Sequence, residues 1–499
     1  MMRKAIFLLA ALGLALAASF PEQVPKGAAF AIYLDNIGAK KELLKEFRAE
    51  LKRQGLSIKD LIELFGANEE EAAYFDLLRL ETVGQEGLVA IYPDGSGLVL
   101  ARPSPEFKEE FFTKLKELLK NAKPKYGFMV EEYSDAEGGL AIGYNDEIAF
   151  LVFAFTEDPI AMRFFTKEGE LGLDFALKGD VSLFYDLNTL KPLLEGELPL
   201  EVTASLLAFA RYDQSWRLDQ KGIESASVLT PAPEASESAK KLVLPECQAW
   251  PLNEFPQVDS ISSLCLDPGA LSALIKELGG AFGYPLELDL TPFGPRLAVA
   301  SLAVPLENPA LAMQKPFGDT LIYLESQDPE AASAYLLELF KSLAGASTPE
   351  GQGGFELKPY KVGAFEGKEV SLGLGQPVYL FTEKDRVILA TSKEAANALK
   401  NPPLKELPQF AKYQSFYPAK AVLYNWGQAS RLYQVLADQL VATTPLVATS
   451  PEELELSMEI AKRTAAYVKF LGQKIGTGAS YSVVEGGSRK ARGVVEVSW

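Results

Sequence analysis

Phe20-Pro21-Glu22-Gln23-Val24 and, in the second half of the chain, Phe255-Pro256-Gln257-Val258 open two passages that run through one script. The first leads into an apolar strand ending Tyr33-Leu34-Asp35, then a helical stretch with Leu43, Leu44 and Phe47. The second leads into a strand ending Cys265-Leu266-Asp267, then a helix with Leu271, Leu274, Ile275 and Leu278. Asp35 and Asp267 stand where a helix N-cap belongs, which assigns them to capping rather than chemistry.

The parallel extends outward. Leu88 to Tyr92, the turn Asp94-Gly95-Ser96-Gly97 and Leu98 to Ala101 read as a hairpin, followed by a helix from Pro105 with Phe107, Phe111, Leu115, Leu118 and Leu119 on one face. The second half offers strands at Leu297 to Val304 and Thr320 to Leu324, then a helix from Pro329 with Ala332, Leu336, Leu339, Phe340 and Leu343. Short strands follow around Met129, Ala141 and Phe150, and around Leu357, Leu372, Tyr379 and Leu389. Both runs end in a helix start, Thr156-Glu157-Asp158-Pro159 and Thr391-Ser392-Lys393-Glu394. Further strands come at Leu183 to Asp186 and Val422 to Asn425. Each half then closes with two strands: Ala204 to Arg211 and Trp216 to Leu229, then Gly478 to Val484 and Ala491 to Trp499.

So many matches in one order predict a tandem duplication of the α+β class, each half an extended, mostly antiparallel sheet backed by helices. Strand, helix, strand, strand, helix, strand is the ferredoxin-like split βαβ order, and each half is expected to begin that way. The expected organisation is a signal peptide at residues 1–19, a first repeat at 20–232, a linker at 233–241 and a second repeat at 242–499. The linker rests on the Pro, Ser and Glu content of Pro231 to Ser238. The second half also carries a long helix opened by Ser450-Pro451-Glu452-Glu453, with Leu454, Met458, Ala461, Ala465 and Val468 as one buried stripe.

Composition excludes much chemistry. The 499 residues include 49 Lys+Arg, 67 Asp+Glu, 2 Cys and no His, for a formal charge of −18. Without histidine there is no Ser-His-Asp or Cys-His catalysis and no His-ligated zinc or haem. Two cysteines cannot build a thiolate zinc site or an iron–sulfur cluster. An acidic chain of pI ≈ 4.8 is a poor binder of nucleic acid or anionic lipid through its net charge.

Met1-Met2-Arg3-Lys4 is a basic n-region and Ala5 to Ala17 an apolar h-region. Ala15-Leu16-Ala17 supplies the small residues that signal peptidase needs, with Ala17-Ala18-Ser19 an alternative one frame later. The apolar run is too short to span a bilayer, so the expectation is cleavage, export to the periplasm or cell envelope, and no transmembrane segment afterwards. An oxidising compartment favours a disulfide between Cys247 and Cys265.

Val24-Pro25-Lys26-Gly27-Ala28, Tyr33-Leu34-Asp35, Val387-Ile388-Leu389-Ala390-Thr391-Ser392 and Tyr424-Asn425 carry a resemblance. The pattern is similar to a family of exported bacterial proteins known only as domain of unknown function three-three-five-two. The resemblance covers most of the chain past residue 19 and rests on packing and capping residues. It implies a shared fold and an envelope address, and it brings no catalytic residue.

Motifs for chemistry are weak. Ser238-Ala239-Lys240-Lys241 matches S-x-x-K but lies in the polar junction without S-D-N or K-T-G partners. Gly363 to Lys368 is one residue short of a P-loop and is followed by Glu369. No linear signal marks a glycosidase carboxylate pair. Phe150, Phe153 and Phe155 sit in a run that is apolar on both faces, either a covered central strand or the wall of an apolar ligand cavity. The expectation is a non-enzymatic envelope protein without cofactor or metal, binding an envelope protein. The alternatives are a carrier of a hydrophobic molecule such as a lipid and, more weakly, a carboxylate-based hydrolase of envelope polymers.

Overall fold

A computed structural model describes residues 20–35, 37–40, 85–135, 138–154, 159–187, 209–233, 235–281, 289–302, 319–347, 355–371, 377–443 and 451–498, with a few single positions between. The chain divides into two compact units, residues 1–235 and 236–498. The proposed signal segment with Ala17, Ala18 and Ser19 lies outside the described residues, as do Phe155, Leu372 and most of the helical stretch after Asp35.

In the first unit the strands are β1 (Phe30–Asp35), β2 (Glu86–Ile91), β3 (Gly97–Arg102), β4 (Lys123–Lys125), β5 (Phe128–Asp135), β6 (Gly138–Tyr144), β7 (Ala149–Ala154), β8 (Val181–Asp186), β9 (Phe209–Asp219) and β10 (Gly222–Pro231). They pair antiparallel throughout, in the order β4-β5-β6-β7-β3-β2-β1-β8-β9-β10. Helix α1 (Lys108–Leu118) follows β3.

The second unit opens with α2 (Glu237–Val243), then β11 (Ser260–Cys265), α3 (Pro268–Ala281), β12 (Arg296–Leu302), β13 (Asp319–Glu325) and α4 (Pro329–Ser347). It continues through β14 (Glu356–Val362), β15 (Phe365–Ser371), β16 (Val378–Glu383), β17 (Arg386–Ala390), α5 (Lys393–Ala398) and β18 (Leu423–Gln428). It ends with α6 (Ala429–Thr443), α7 (Pro451–Lys474), β19 (Ile475–Glu485) and β20 (Ser488–Val497). The strand order is β14-β15-β16-β17-β13-β12-β11-β18-β19-β20, again antiparallel at every pairing. Among the described residues the two orders correspond strand for strand.

The ferredoxin-like start gives way to this order. A split βαβ unit sets its first strand parallel to a later neighbour, whereas β1 is antiparallel to both β2 and β8. In the second unit strand, helix, strand, strand, helix, strand is the order of the described elements, while in the first the stretch after β1 lies mostly outside the described residues; in both, residues far along the chain supply the second neighbour of the first strand. The outermost strands β4 and β14 are each interrupted by proline, Pro124 and Pro359, beside lysines, which blunts an open sheet edge.

Two local readings change. The end of the first half is one hairpin, with its turn at Gln220 and Lys221 held by Asp219, whose Oδ1 accepts from the backbone of Lys221 and Gly222. The polar Asp213-Gln214-Ser215 looks like a break but lies inside β9, where buried Asp213 is bonded to Arg211. The segment expected to be a linker contains α2, capped by Ser236, which accepts from Ala239 N–H at 3.2 Å.

The core of the first unit gathers Leu88, Leu98, Leu100 and Tyr92 with Phe111 and Leu115 of α1. β2 and β3 are buried on both faces, as near-continuous apolar strands must be. The second core gathers Ile261, Tyr323, Phe381, Ile388, Phe410 and Trp426. On α4, Ala332 and Leu336 are buried against Leu380 and Val387. Capping follows the sequence: Asp267 Oδ1 accepts from Ala270 N–H at 2.7 Å, and Ser392 Oγ from Ala395 N–H at 3.0 Å.

Candidate functional site

The second unit holds a cleft of about 620 Å³ between the start of α4 and strands β15 and β16, lined by Glu330, Phe365, Glu366, Lys368, Thr382 and Glu383 among others. Alternation along the two strands puts Glu366, Lys368 and Thr382 on one face and Phe365 and Glu383 on the other. Thr382 Oγ1 donates to Glu330 Oε1 at 3.0 Å, Glu383 pairs with Arg386 at 2.9 Å, and Glu366 pairs with Lys361. Lys361 holds the Glu366 carboxyl below its ordinary range. The cleft thus presents carboxylates already engaged by donors, beside the ammonium of Lys368.

This cleft contains the segment that is one residue short of a P-loop. Gly363 and Ala364 form the turn of the β14–β15 hairpin, and the chain continues as strand. No helix N-terminus follows to receive a phosphate, so the P-loop chemistry is absent for a geometric reason. Nothing in the sequence pointed to Glu330 or Glu383 as neighbours of that turn, because the pairing of β15 with β16 brings Glu383 there and the seating of α4 on β16, where Glu330 meets Thr382, brings Glu330.

Buried carboxylates elsewhere carry structural bonds. Glu86 accepts from the Tyr33 hydroxyl, and Asp213 accepts from Arg211 and from Ala176 N–H at 3.1 Å. Glu131 accepts from Tyr133 and from Asn121 N–H at 3.1 Å, and the Tyr133 hydroxyl foremost holds its carboxyl below the usual range. Burial, then the neighbouring Glu86, pushes the Tyr33 hydroxyl well above its ordinary value. Asp94 is a turn residue with two further tasks: its Oδ1 accepts from Ser96 N–H at 3.0 Å, and its Oδ2 from Ile160 N–H at 2.7 Å. Ser96 Oγ accepts from Ala161 N–H at 3.1 Å, so one hairpin turn anchors the next helical segment.

Of the expected site residues, Cys247 and Cys265 are joined in a disulfide, with Cα atoms 5.8 Å apart. It ties the end of β11 to the segment after α2. Phe150 is 1% exposed and packs edge-on against Phe165 at 4.6 Å and Phe128 at 5.1 Å. Phe153 is half-buried, its ring lying over Gly97, where a Cβ would approach it to 2.0 Å. β7 runs between β3 and β6, so these phenylalanines belong to a central strand. Ser238 and Lys241 lie on α2.

Among the described residues no three His, Cys, Asp or Glu side chains gather to hold a metal ion. No helix among them is long and apolar enough to cross a membrane.

No family model matches the chain, and no curated protein matches it. Among solved structures, crystal form III of TP0453 is similar at 10% identity over 45% of this chain and 85% of that one, with a TM-score of 0.25. Crystal form I of TP0453 is similar at 12% identity over 44% and 82%, with a TM-score of 0.25. A likeness at that score carries no argument about fold or function.

Proposed function

We propose that the chain is an exported protein of the cell envelope, built from two copies of one α+β unit, whose role is binding rather than catalysis. The resemblance to the exported family of unknown function belongs to the same proposal. The duplication is supported by ten strands in each unit that share one order and one set of pairings. The binding role is carried by one observation: three buried carboxylates, Glu86, Glu131 and Asp213, are each committed to structural donors. Such groups are not available as a general acid and base.

Crosslinking in the native envelope, followed by pull-down and scoring for protein and lipid together, tests this reading. Recovery of a defined protein partner supports it, and recovery of monomer alone overturns it.

A carrier role for a hydrophobic molecule is the second reading, favoured by one face of the first sheet. Phe30 and Ile32 of β1 face Tyr185 and Leu183 of β8, and all four are only half-buried. Organic extraction and mass spectrometry of the purified protein test it. A stoichiometric lipid supports the carrier, and absence of both bound lipid and uptake of a fluorescent lipid removes it.

A further inference from the structure

The charge of −18 hides a basic strip in the first unit. From Lys114 to Lys125 the sequence carries Lys114, Lys116, Lys120, Lys123 and Lys125 against one acid, Glu117. Lys114 pairs with Glu110, and Lys125 with Glu132. Lys116, Lys120 and Lys123 are exposed, on α1, the turn after it and β4, with no ion-pair partner among the described residues.

The strip ends at the β4–β5 turn, where Tyr126 and Gly127 both have positive φ, 54° and 79°. A tyrosine in left-handed backbone is disfavoured, and this one leaves its ring 48% exposed. The ring is not loose: it stacks on Phe165 at 5.3 Å, and Phe165 in turn packs on buried Phe150. The Lys125 ammonium lies 5.2 Å from the Tyr126 centroid. Nearby, Lys167 also has positive φ and lies 4.3 Å from the Phe164 centroid.

The second unit shows that the fold does not demand this. Its corresponding β14–β15 hairpin turns through Gly363 and Ala364, with the positive φ on the glycine. The edge strands share Lys-Pro, at Lys123-Pro124 and Lys358-Pro359, but only the first unit puts an aromatic ring at the tip.

We propose that this tip, through Lys116, Lys120, Lys123 and Tyr126, docks the protein on the surface of an anionic lipid bilayer. Tyrosine settles at the headgroup level of a bilayer, and lysines reach lipid phosphates with flexible stems. The acids nearby reduce the strip's charge without reversing it: Glu110 pairs with Lys114 and Glu132 with Lys125, Glu117 adjoins Lys116, and the Glu131 carboxylate is bonded to Asn121 between Lys120 and Lys123, so five lysines face four carboxylates. More distant carboxylates repel the membrane weakly at physiological salt, because charges farther than about 8 Å are largely screened. The proposal rests on the envelope reading only for where such a membrane is met. The vesicle assay uses purified protein, so its failure would leave that reading standing.

The experiment is co-sedimentation of the chain from Phe20 onward with vesicles of phosphatidylcholine, with and without phosphatidylglycerol. It compares wild type, Lys116→Glu/Lys120→Glu/Lys123→Glu, Tyr126→Asn, and the charge control Lys393→Glu/Lys405→Glu/Lys420→Glu. Asn tolerates positive φ, so Tyr126→Asn keeps the turn. Wild type and the control should bind phosphatidylglycerol vesicles alike, and the strip triple variant and Tyr126→Asn should bind at least tenfold more weakly with unchanged thermal midpoints. Equal binding by all four, no binding by wild type, or binding to soluble polyglutamate as strong as to vesicles overturns the proposal. So does an equal loss in the charge control, which would assign the effect to net charge.

Discussion

Arg296 and Glu325 face each other across β12 and β13, and one carboxylate engages both the side chain and the backbone of the arginine. Arg296 Nε donates to Glu325 Oε1 at 2.7 Å, and Arg296 N–H donates to Oε2 at 3.1 Å. The guanidinium also lies 4.9 Å from the Trp250 ring centroid. Gly294 must be a glycine beside this pair, since a Cβ would meet Glu325 Cγ at 2.6 Å.

Glu325→Ala should therefore destabilise the second unit by about 2 kcal/mol, discounted from the cost of breaking a fully buried pair because Arg296 is partly exposed. Arg296→Lys should lose part of that, since an ammonium cannot reproduce the forked donors or the stacking. Urea unfolding checks both, and a Glu325→Ala midpoint equal to wild type would show that the pair is merely decorative.

The two long helices α6 and α7 approach each other closely at Gly472. A Cβ there would meet Tyr433 Cβ at 2.9 Å and Ser430 O at 3.2 Å. Gly472→Ala is expected to cost about 1–3 kcal/mol through overpacking, outweighing the better helix propensity of alanine. Thermal melting measures it, and a stabilised variant would mean that the helices can part without loss.

Phe150 fills the aromatic cluster of the first unit. Phe150→Ala should cost about 3–5 kcal/mol and Phe150→Leu distinctly less. A Gly143→Ala change should overpack the same site at a cost of about 1–3 kcal/mol, because its Cβ would meet the Phe150 ring at 2.6 Å and the Met129 backbone carbonyl oxygen at 2.7 Å. Calorimetry on each variant provides the comparison; a mild Phe150→Ala would point to an unfilled space beside the ring.

Replacing both cysteines by serine should remove about 3 kcal/mol, the loop-closure contribution of a bridge spanning 18 positions. Thiol titration of unreduced, denatured wild type should find no free thiol.

Glu131 sets a pH dependence. Its carboxyl is held below its ordinary value in the folded state, chiefly by the Tyr133 hydroxyl. Its contribution is then complete above the unfolded carboxylate range and is lost as pH falls through the lower folded value. Glu131→Gln should flatten the acid limb of stability against pH below about pH 4.3 and leave the neutral region's slope unchanged. An acid limb identical to wild type would remove Glu131 from the account.

By itself the sequence located many of the described elements in their order, because apolar spacing, proline and capping residues act over a few neighbouring positions. Asp267 and Ser392 cap the helices they precede, and Ala461 and Ala465 are buried on α7 as their spacing requires. The cysteine pair was legible as a staple. Only the tertiary structure decided which strands are neighbours, since hydrogen-bond pairing between β1 and β8 leaves no mark in local composition. It likewise decided that polar Asp213 belongs inside a strand, because the partner that makes its burial tolerable, Arg211, is recognisable only when strand pairing buries them together. The same holds for exposure: the lysine run from Lys114 to Lys125 stands in the sequence, but only the folded chain leaves Lys116, Lys120 and Lys123 exposed and the Tyr126 ring at the surface. Local physics writes elements into sequence; the pairing of distant residues, and the surfaces it exposes, exists only once the sheet has closed.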